Sequence, residues 1–200
     1  MQIIIPMSGF GERFRKAGYK IPKPLIEVDG KPIIQYIVEM FSKEDDFIFI
    51  CNKSHLLKPE YKMKQTLESI APNAQIIAIE PHKLGPVYAV LQVIEKIDLN
   101  MATIVNYADF TCDWDYGDFC KTVLENECDG AIPCYHGFHP HTIWSNYYAY
   151  VREENFKIID IQEKKPFTNS PRNEFASSGT YYFKTGDLMR CYFERCIADN

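Results

Sequence analysis

The chain has 200 residues, 46% of them hydrophobic, which is enough to bury one sizeable core, and a single domain over residues 1–200 is the expectation. A net charge of −5, with 24% charged residues and a pI of about 5.6, leaves no basic face to grip a nucleic-acid backbone. No run approaches the ~18 apolar residues of a membrane span, and the opening Met1-Gln2-Ile3-Ile4-Ile5-Pro6 has neither the basic nor the apolar region of a signal peptide, so no membrane partner and a cytoplasmic location are expected.

Residues 2–5 read as a strand buried on both faces, as do residues 47–51, 75–79 and 103–106, because each is apolar with little polar alternation. Helix-length segments lie between them. Residues 32–41 carry Ile33, Ile34, Ile37 and Phe41 at helical spacing, residues 59–71 form a second candidate helix, and residues 86–97 a third. The third begins with Pro86, which suits a first helical position. This alternation predicts an α/β fold with a parallel sheet and right-handed crossovers. Beyond about residue 129 the pattern changes to strands with turns, at 130–134, 147–152, 157–162 and 175–183, expected to extend the same sheet with antiparallel edges. A terminal helix follows from about Gly186, and a chain that stops directly after it is expected to be truncated.

Seven cysteines (51, 112, 120, 128, 134, 191 and 196) include no Cys-x-x-Cys pair and read as reduced, mostly buried small hydrophobes. Cys134, His136, His139 and His141 have a spacing that would suit a transition metal, although the segment reads more simply as a polar, aromatic loop.

The chemistry concentrates after the first strand, in Met7-Ser8-Gly9-Phe10-Gly11-Glu12-Arg13 followed by Pro22-Lys23-Pro24-Leu25. Small residues there let backbone N–H groups approach phosphate oxygens, and Arg13 and Lys23 would offset the charge of a triphosphate. Neither a Gly-x-Gly-x-x-Gly nor a Gly-Lys-Ser/Thr motif is present.

These two motifs, with Val28-Asp29-Gly30-Lys31-Pro32-Ile33, resemble the opening of the sugar-phosphate nucleotidyltransferases. Three later stretches agree in order: Glu80-Pro81-His82-Lys83-Leu84-Gly85-Pro86 resembles the base-reading loop, Val105-Asn106-Tyr107-Ala108-Asp109 the strand end with the metal-binding aspartate, and Glu163-Lys164-Lys165-Pro166 with Ala176-Ser177-Ser178-Gly179-Thr180-Tyr181-Tyr182-Phe183 the acceptor site. The resemblance implies a three-layer Rossmann-like (GT-A-like) fold around a mixed, mostly parallel sheet. It also implies an enzyme that joins the α-phosphate of a nucleoside triphosphate to a small phosphorylated acceptor and releases pyrophosphate.

Carried onto matching positions, Met7, Ser8, Gly9, Phe10, Gly11, Glu80 and Gly85 would bind nucleotide. Arg13 would hold the leaving β- and γ-phosphates and Lys23 the α-phosphate. Asp109 would bind Mg2+, its simpler role being a helix cap. Glu163, Lys164, Ser178 and Gly179 would bind the acceptor, with Lys164 on its phosphate and Lys165 as the alternative. The family takes a second magnesium-binding aspartate from a segment beyond any clear match here, so the isolated domain is expected to bind nucleotide and turn over poorly.

Glu80 stands where relatives that use thymidine or uridine triphosphate tend to carry glutamine. A carboxylate can only accept hydrogen bonds, which suits the N4 amine of cytosine, and CTP is therefore expected. The wording of the first motif resembles family members encoded with bacterial capsule genes, which implies L-glutamine phosphate as acceptor beside the alternative of a sugar 1-phosphate. Two other readings stay open: a GT-A glycosyltransferase using Asp113-Trp114-Asp115 as its metal motif, and a non-catalytic nucleotide-binding subunit.

Overall fold

The computed structural model of the chain describes residues 1–137 and 148–199. These form two compact units, one of Met1–Ala131 with Tyr181–Asn200 and one of Ile132–Thr180.

The larger unit opens with β1 (Gln2–Met7), a five-residue helix α1 (Glu12–Lys16), a 3-10 turn at Lys23–Leu25, and the hairpin β2 (Glu27–Val28) and β3 (Lys31–Pro32). Then come α2 (Ile33–Val38), β4 (Asp46–Asn52), α3 (Lys53–Leu56), α4 (Met63–Ile70), β5 (Gln75–Ile79), α5 (Gly85–Leu91), β6 (Thr103–Asn106), α6 (Tyr116–Glu125) and β7 (Gly130–Ala131). The smaller unit holds β8 (Cys134–Tyr135), β9 (Ala149–Glu154), β10 (Lys157–Glu163) and β11 (Phe175–Ser177). After it, β12 (Thr180–Phe183) and α7 (Gly186–Ala198) return to the larger unit.

The main sheet runs β5-β4-β1-β6-β12-β7, with β1, β4, β5 and β6 mutually parallel where they pair and β12 antiparallel to β7. Side chains of β1 alternate between two cores, because successive residues of a strand point to opposite faces. Ile3, Ile5 and Met7 join Phe47, Phe49 and Ile104 under Ile34 and Ile37 of α2 and Leu67 of α4. Ile4 joins Ile48, Ile50 and Val105 under Ala89 and Val90 of α5 and Met189 of α7. The three isoleucines of β1 are fully buried. A central strand that must be apolar on both faces is why this segment shows no alternation in sequence.

Several expectations are corrected. β5 is an edge strand whose residues are mostly half-buried or exposed, not buried on both faces. The helix expected over residues 59–71 is a 3-10 turn (Pro59–Tyr61) and then α4, divided at Lys62, whose φ of 47° is left-handed. The helix expected over 86–97 closes at Leu91 and continues as a 3-10 turn (Ile94–Lys96).

The antiparallel half does not simply extend the main sheet. β8 to β11 form a second, four-stranded sheet of order β10-β9-β11-β8, and only β7 and β12 join the first. The segment expected as one strand over 130–134 breaks at Ile132–Pro133, where proline has no N–H for a ladder. That over 175–183 breaks at Ser178–Gly179. Of the cysteines, only Cys51 is buried, and Cys191 and Cys196 are exposed. No helix among the described residues is long and apolar enough to cross a membrane.

Candidate active site

β1 is the switch point of the main sheet: the chain leaves it for β4 on one side and later places β6 on the other. In open α/β sheets the crevice outside the carboxyl ends of such strands is the usual ligand site. A cleft of about 360 Å³ lies there. Its floor is Pro6, Met7, Ser8 and Gly9 at the end of β1, continued by Gly11. Tyr107, Ala108 and Asp109 follow β6, Lys23 and Pro24 come from the 3-10 turn, and His82, Gly85 and Pro86 from the loop into α5.

The floor is held from beneath. Asn52, fully buried at the end of β4, donates from Nδ2 to the Ser8 carbonyl at 3.1 Å, while its Oδ1 accepts from the backbone N–H of Ser54 at 2.9 Å. Ser8 is itself buried. Gly11 and Gly85 have φ of 62° and 87°, so each edge of the cleft turns through a left-handed residue that a side chain would strain.

The charged lining is a pair. Lys23 Nζ bonds the Asp109 carboxylate and lies 4.7 Å from the centre of the Phe14 ring. Lys83 Nζ bonds Glu12 at 2.8 Å and lies 5.8 Å from the Phe10 ring, tying the loop after β1 to the loop after β5. The hydrogen bond from Lys83, with its charge, holds the Glu12 carboxyl below the usual carboxylate range.

The cleft thus brings together Met7, Ser8, Gly9, Gly11, Lys23, Gly85 and Asp109 of the expected residues. Phe10, Arg13 and Glu80 do not line it. Arg13 is exposed on α1, and Glu80 is exposed one residue beyond β5 with its carboxylate paired to Lys53. Glu163, Lys164, Ser178 and Gly179 all belong to the smaller unit. There Lys164, with φ 58°, donates its backbone N–H to Tyr148 at 3.0 Å and pairs through Nζ with Glu163 at 3.2 Å. Ser178 is buried, its N–H donates to Pro133 at 3.1 Å, and its Oγ has no hydrogen-bond partner among the described residues. The Gly179 N–H donates to Ser177 Oγ at 3.1 Å.

Asn52 and His82 were not anticipated as site residues. Asn52 carries no motif, and its role exists only because β4 lies beside β1. His82 stands inside a quoted motif with nothing local to mark it.

Asp115 caps α6, accepting from the Asp118 N–H at 2.8 Å, and Trp114 packs on Phe41 and donates to the Met40 carbonyl at 2.9 Å. Neither aspartate of Asp113-Trp114-Asp115 lines the cleft. No group of three or more His, Cys, Asp or Glu side chains suited to a metal occurs among the described residues. Of the expected cysteine–histidine group, His139 and His141 lie outside them.

A crevice at the switch point of a parallel sheet, floored by a glycine loop and carrying one lysine and one aspartate, stands where open α/β sheets usually receive their ligands. Residues 2–192 match the nucleotidyl transferase family, and the chain belongs to that family.

It is 27% identical over 184 residues to the bifunctional protein GlmU of Methanocaldococcus jannaschii, an alignment covering 92% of this chain and 40% of that protein. It is 35% identical over 63 residues to the glucose-1-phosphate cytidylyltransferase of Salmonella typhimurium, covering 30% and 24%. The chain therefore spans well under half the length of these curated relatives. The fold matches that of the nucleoside-diphosphate-sugar pyrophosphorylase from Vibrio cholerae RC9 with a TM-score of 0.71 at 20% identity, over 97% of this chain and 78% of that one.

Proposed function

We propose that the chain carries out nucleotidyl transfer: a phosphate oxygen of a small acceptor attacks the α-phosphate of a nucleoside triphosphate, and pyrophosphate leaves. The observation that carries this reading is the pairing of a glycine-floored crevice with Lys23 and Asp109 at the carboxyl ends of β1 and β6. The protein supplies no nucleophile in this scheme. Its task is to align two polyanions and offset the charge that accumulates between them.

Lys23 takes the α-phosphate, and Arg13, at the end of the loop, the departing phosphates. A single carboxylate in the cleft suits Mg2+, which is commonly held by one or two carboxylates together with substrate phosphates, and Asp109 is its protein ligand here. The ion would supply charge neutralisation at the phosphates. Acceptor contacts are assigned to Lys164 and Glu163 at the end of β10 and to the Ser178–Gly179 turn.

For the base, we favour cytidine, supported by the carboxylate of Glu80 and by the likeness to a relative named for cytidylyl transfer. The acceptor is proposed to be a sugar 1-phosphate or L-glutamine phosphate, and the setting capsule or surface polysaccharide synthesis in the cytoplasm. All four triphosphates, each with Mg2+ and a panel of sugar phosphates and phosphorylated amino acids, would be assayed for pyrophosphate. The expected result is acceptor-dependent release with CTP preferred. Absence of release from every combination would overturn the reading.

A further inference from the structure

The Lys23 ammonium that bonds Asp109 also sits over the ring of Phe14, 4.7 Å from its centre. Phe14 is a large apolar residue on α1, a five-residue helix that buries none of its side chains, and it belongs to neither of the two apolar cores. It is held locally instead. Its ring packs against that of Tyr19, with centroids 5.6 Å apart and planes at 57°, and its carbonyl accepts the Tyr19 backbone N–H at 3.0 Å. The face of an aromatic ring carries negative charge density, so a ring fixed in this way attracts an ammonium placed over it.

We infer that Phe14 is a positioning residue for Lys23, its ring holding the ammonium beside the α-phosphate after the ammonium has released Asp109. The inference rests on the proposed nucleotidyl transfer and adds to it a residue that does not itself line the cleft. A lysine side chain is a flexible four-carbon stem with a compact charge at its end, and ordering it costs rotamer entropy. Once Asp109 serves as a Mg2+ ligand, its carboxylate no longer fixes the ammonium. The ring competes for neither metal nor phosphate and stays in place. A neutral partner also leaves the full charge of Lys23 free to act on phosphate, which a carboxylate partner would offset.

Steady-state pyrophosphate release by the whole chain from CTP and Mg2+, with glucose 1-phosphate and L-glutamine phosphate as acceptors, compares the variants. Phe14→Leu should lower kcat about 3- to 10-fold with little change in the KM for CTP, and Phe14→Tyr should keep most of the rate. In a Lys23→Ala background Phe14→Leu should cost nothing further, because the partner is gone. Fluorinated phenylalanines at position 14 keep the shape of the ring and drain its face of charge, so kcat should fall in order of fluorine number. Independently of turnover, the ring current of Phe14 should displace the Lys23 ε-methylene proton resonances, and the displacement should persist when CTP and Mg2+ are added. Equal losses in both Lys23 backgrounds, rates indifferent to fluorination, or a displacement that vanishes with CTP would overturn the role given to Phe14 and leave the transfer reading intact. A wild-type chain that releases no pyrophosphate with any triphosphate and acceptor of the panel would overturn that reading, and this inference with it.

Discussion

Lys23 and Asp109 are 86 positions apart in the chain, and their ammonium and carboxylate bond each other at the lip of the cleft, with side chains 27% and 44% exposed. An exposed pair of this kind contributes about 0–1 kcal/mol to stability. The pair is therefore a poor structural strut. Lys23→Ala should lower kcat/KM by at least ~100-fold while shifting the melting temperature by no more than a few degrees. Asp109→Asn should abolish magnesium-dependent turnover, since the amide keeps the shape and loses the charge. Calorimetry beside steady-state kinetics checks both. Near-wild-type kinetics in the two variants would show that the pair does not serve catalysis.

Asn52 ties the floor of the cleft to β4. Asn52→Ala leaves the Ser8 carbonyl short of a buried donor and removes the acceptor for Ser54, which should cost about 1–3 kcal/mol. Because Ser8 lines the cleft, nucleotide affinity should fall along with stability. Denaturant unfolding and nucleotide titration on the same variant measure the two losses. A stability loss with unchanged affinity would mean that the loop holds its shape without this bond.

Glu12 gives a prediction with a definite sign in pH. Its carboxyl is held below its ordinary value by Lys83, so the paired state is present above the unfolded carboxylate value near ~4.3 and is lost as pH falls through the lower folded value. An NMR titration of the Glu12 side chain should show an inflection below ~4.3 that moves up in Lys83→Gln. Coincident inflections would dismiss the link between the two loops.

The proposed base preference is tested at Glu80. Glu80→Gln should weaken CTP and relatively favour UTP, because the amide can donate to O4 as well as accept from N3–H. The expected change in the CTP:UTP ratio is roughly 10- to 100-fold. Glu80 is paired with Lys53 and does not line the cleft, so the prediction also requires the carboxylate to exchange that partner for the base. Competition between the two triphosphates at equal concentration reads the ratio, and an unchanged value would withdraw the reason for naming cytidine.

Much of the larger unit was legible because its constraints are local. Ile3-Ile4-Ile5 must be central since both faces are apolar, and Gly9-x-Gly11 directly after such a strand marks the close approach of backbone to ligand. The second sheet was not legible. Whether Phe175 to Phe183 is one strand or two depends on which partner each half finds, Cys134–Tyr135 for one and Gly130–Ala131 for the other, and pattern along the chain holds no record of that. α6 was not anticipated, although Tyr116, Phe119, Cys120 and Val123 at helical spacing and the Asp115 cap were there to be read.

The central claim is that the cleft between the carboxyl ends of β1 and β6 receives the nucleotide. Amide chemical-shift mapping by NMR on the labelled chain, with CTP and Mg2+ added stepwise, tests it most directly. The account predicts saturable shifts concentrated at Ser8, Gly9, Gly11, Lys23, His82, Gly85 and Asp109. Saturable shifts centred elsewhere in the larger unit, with these residues unmoved, would contradict it.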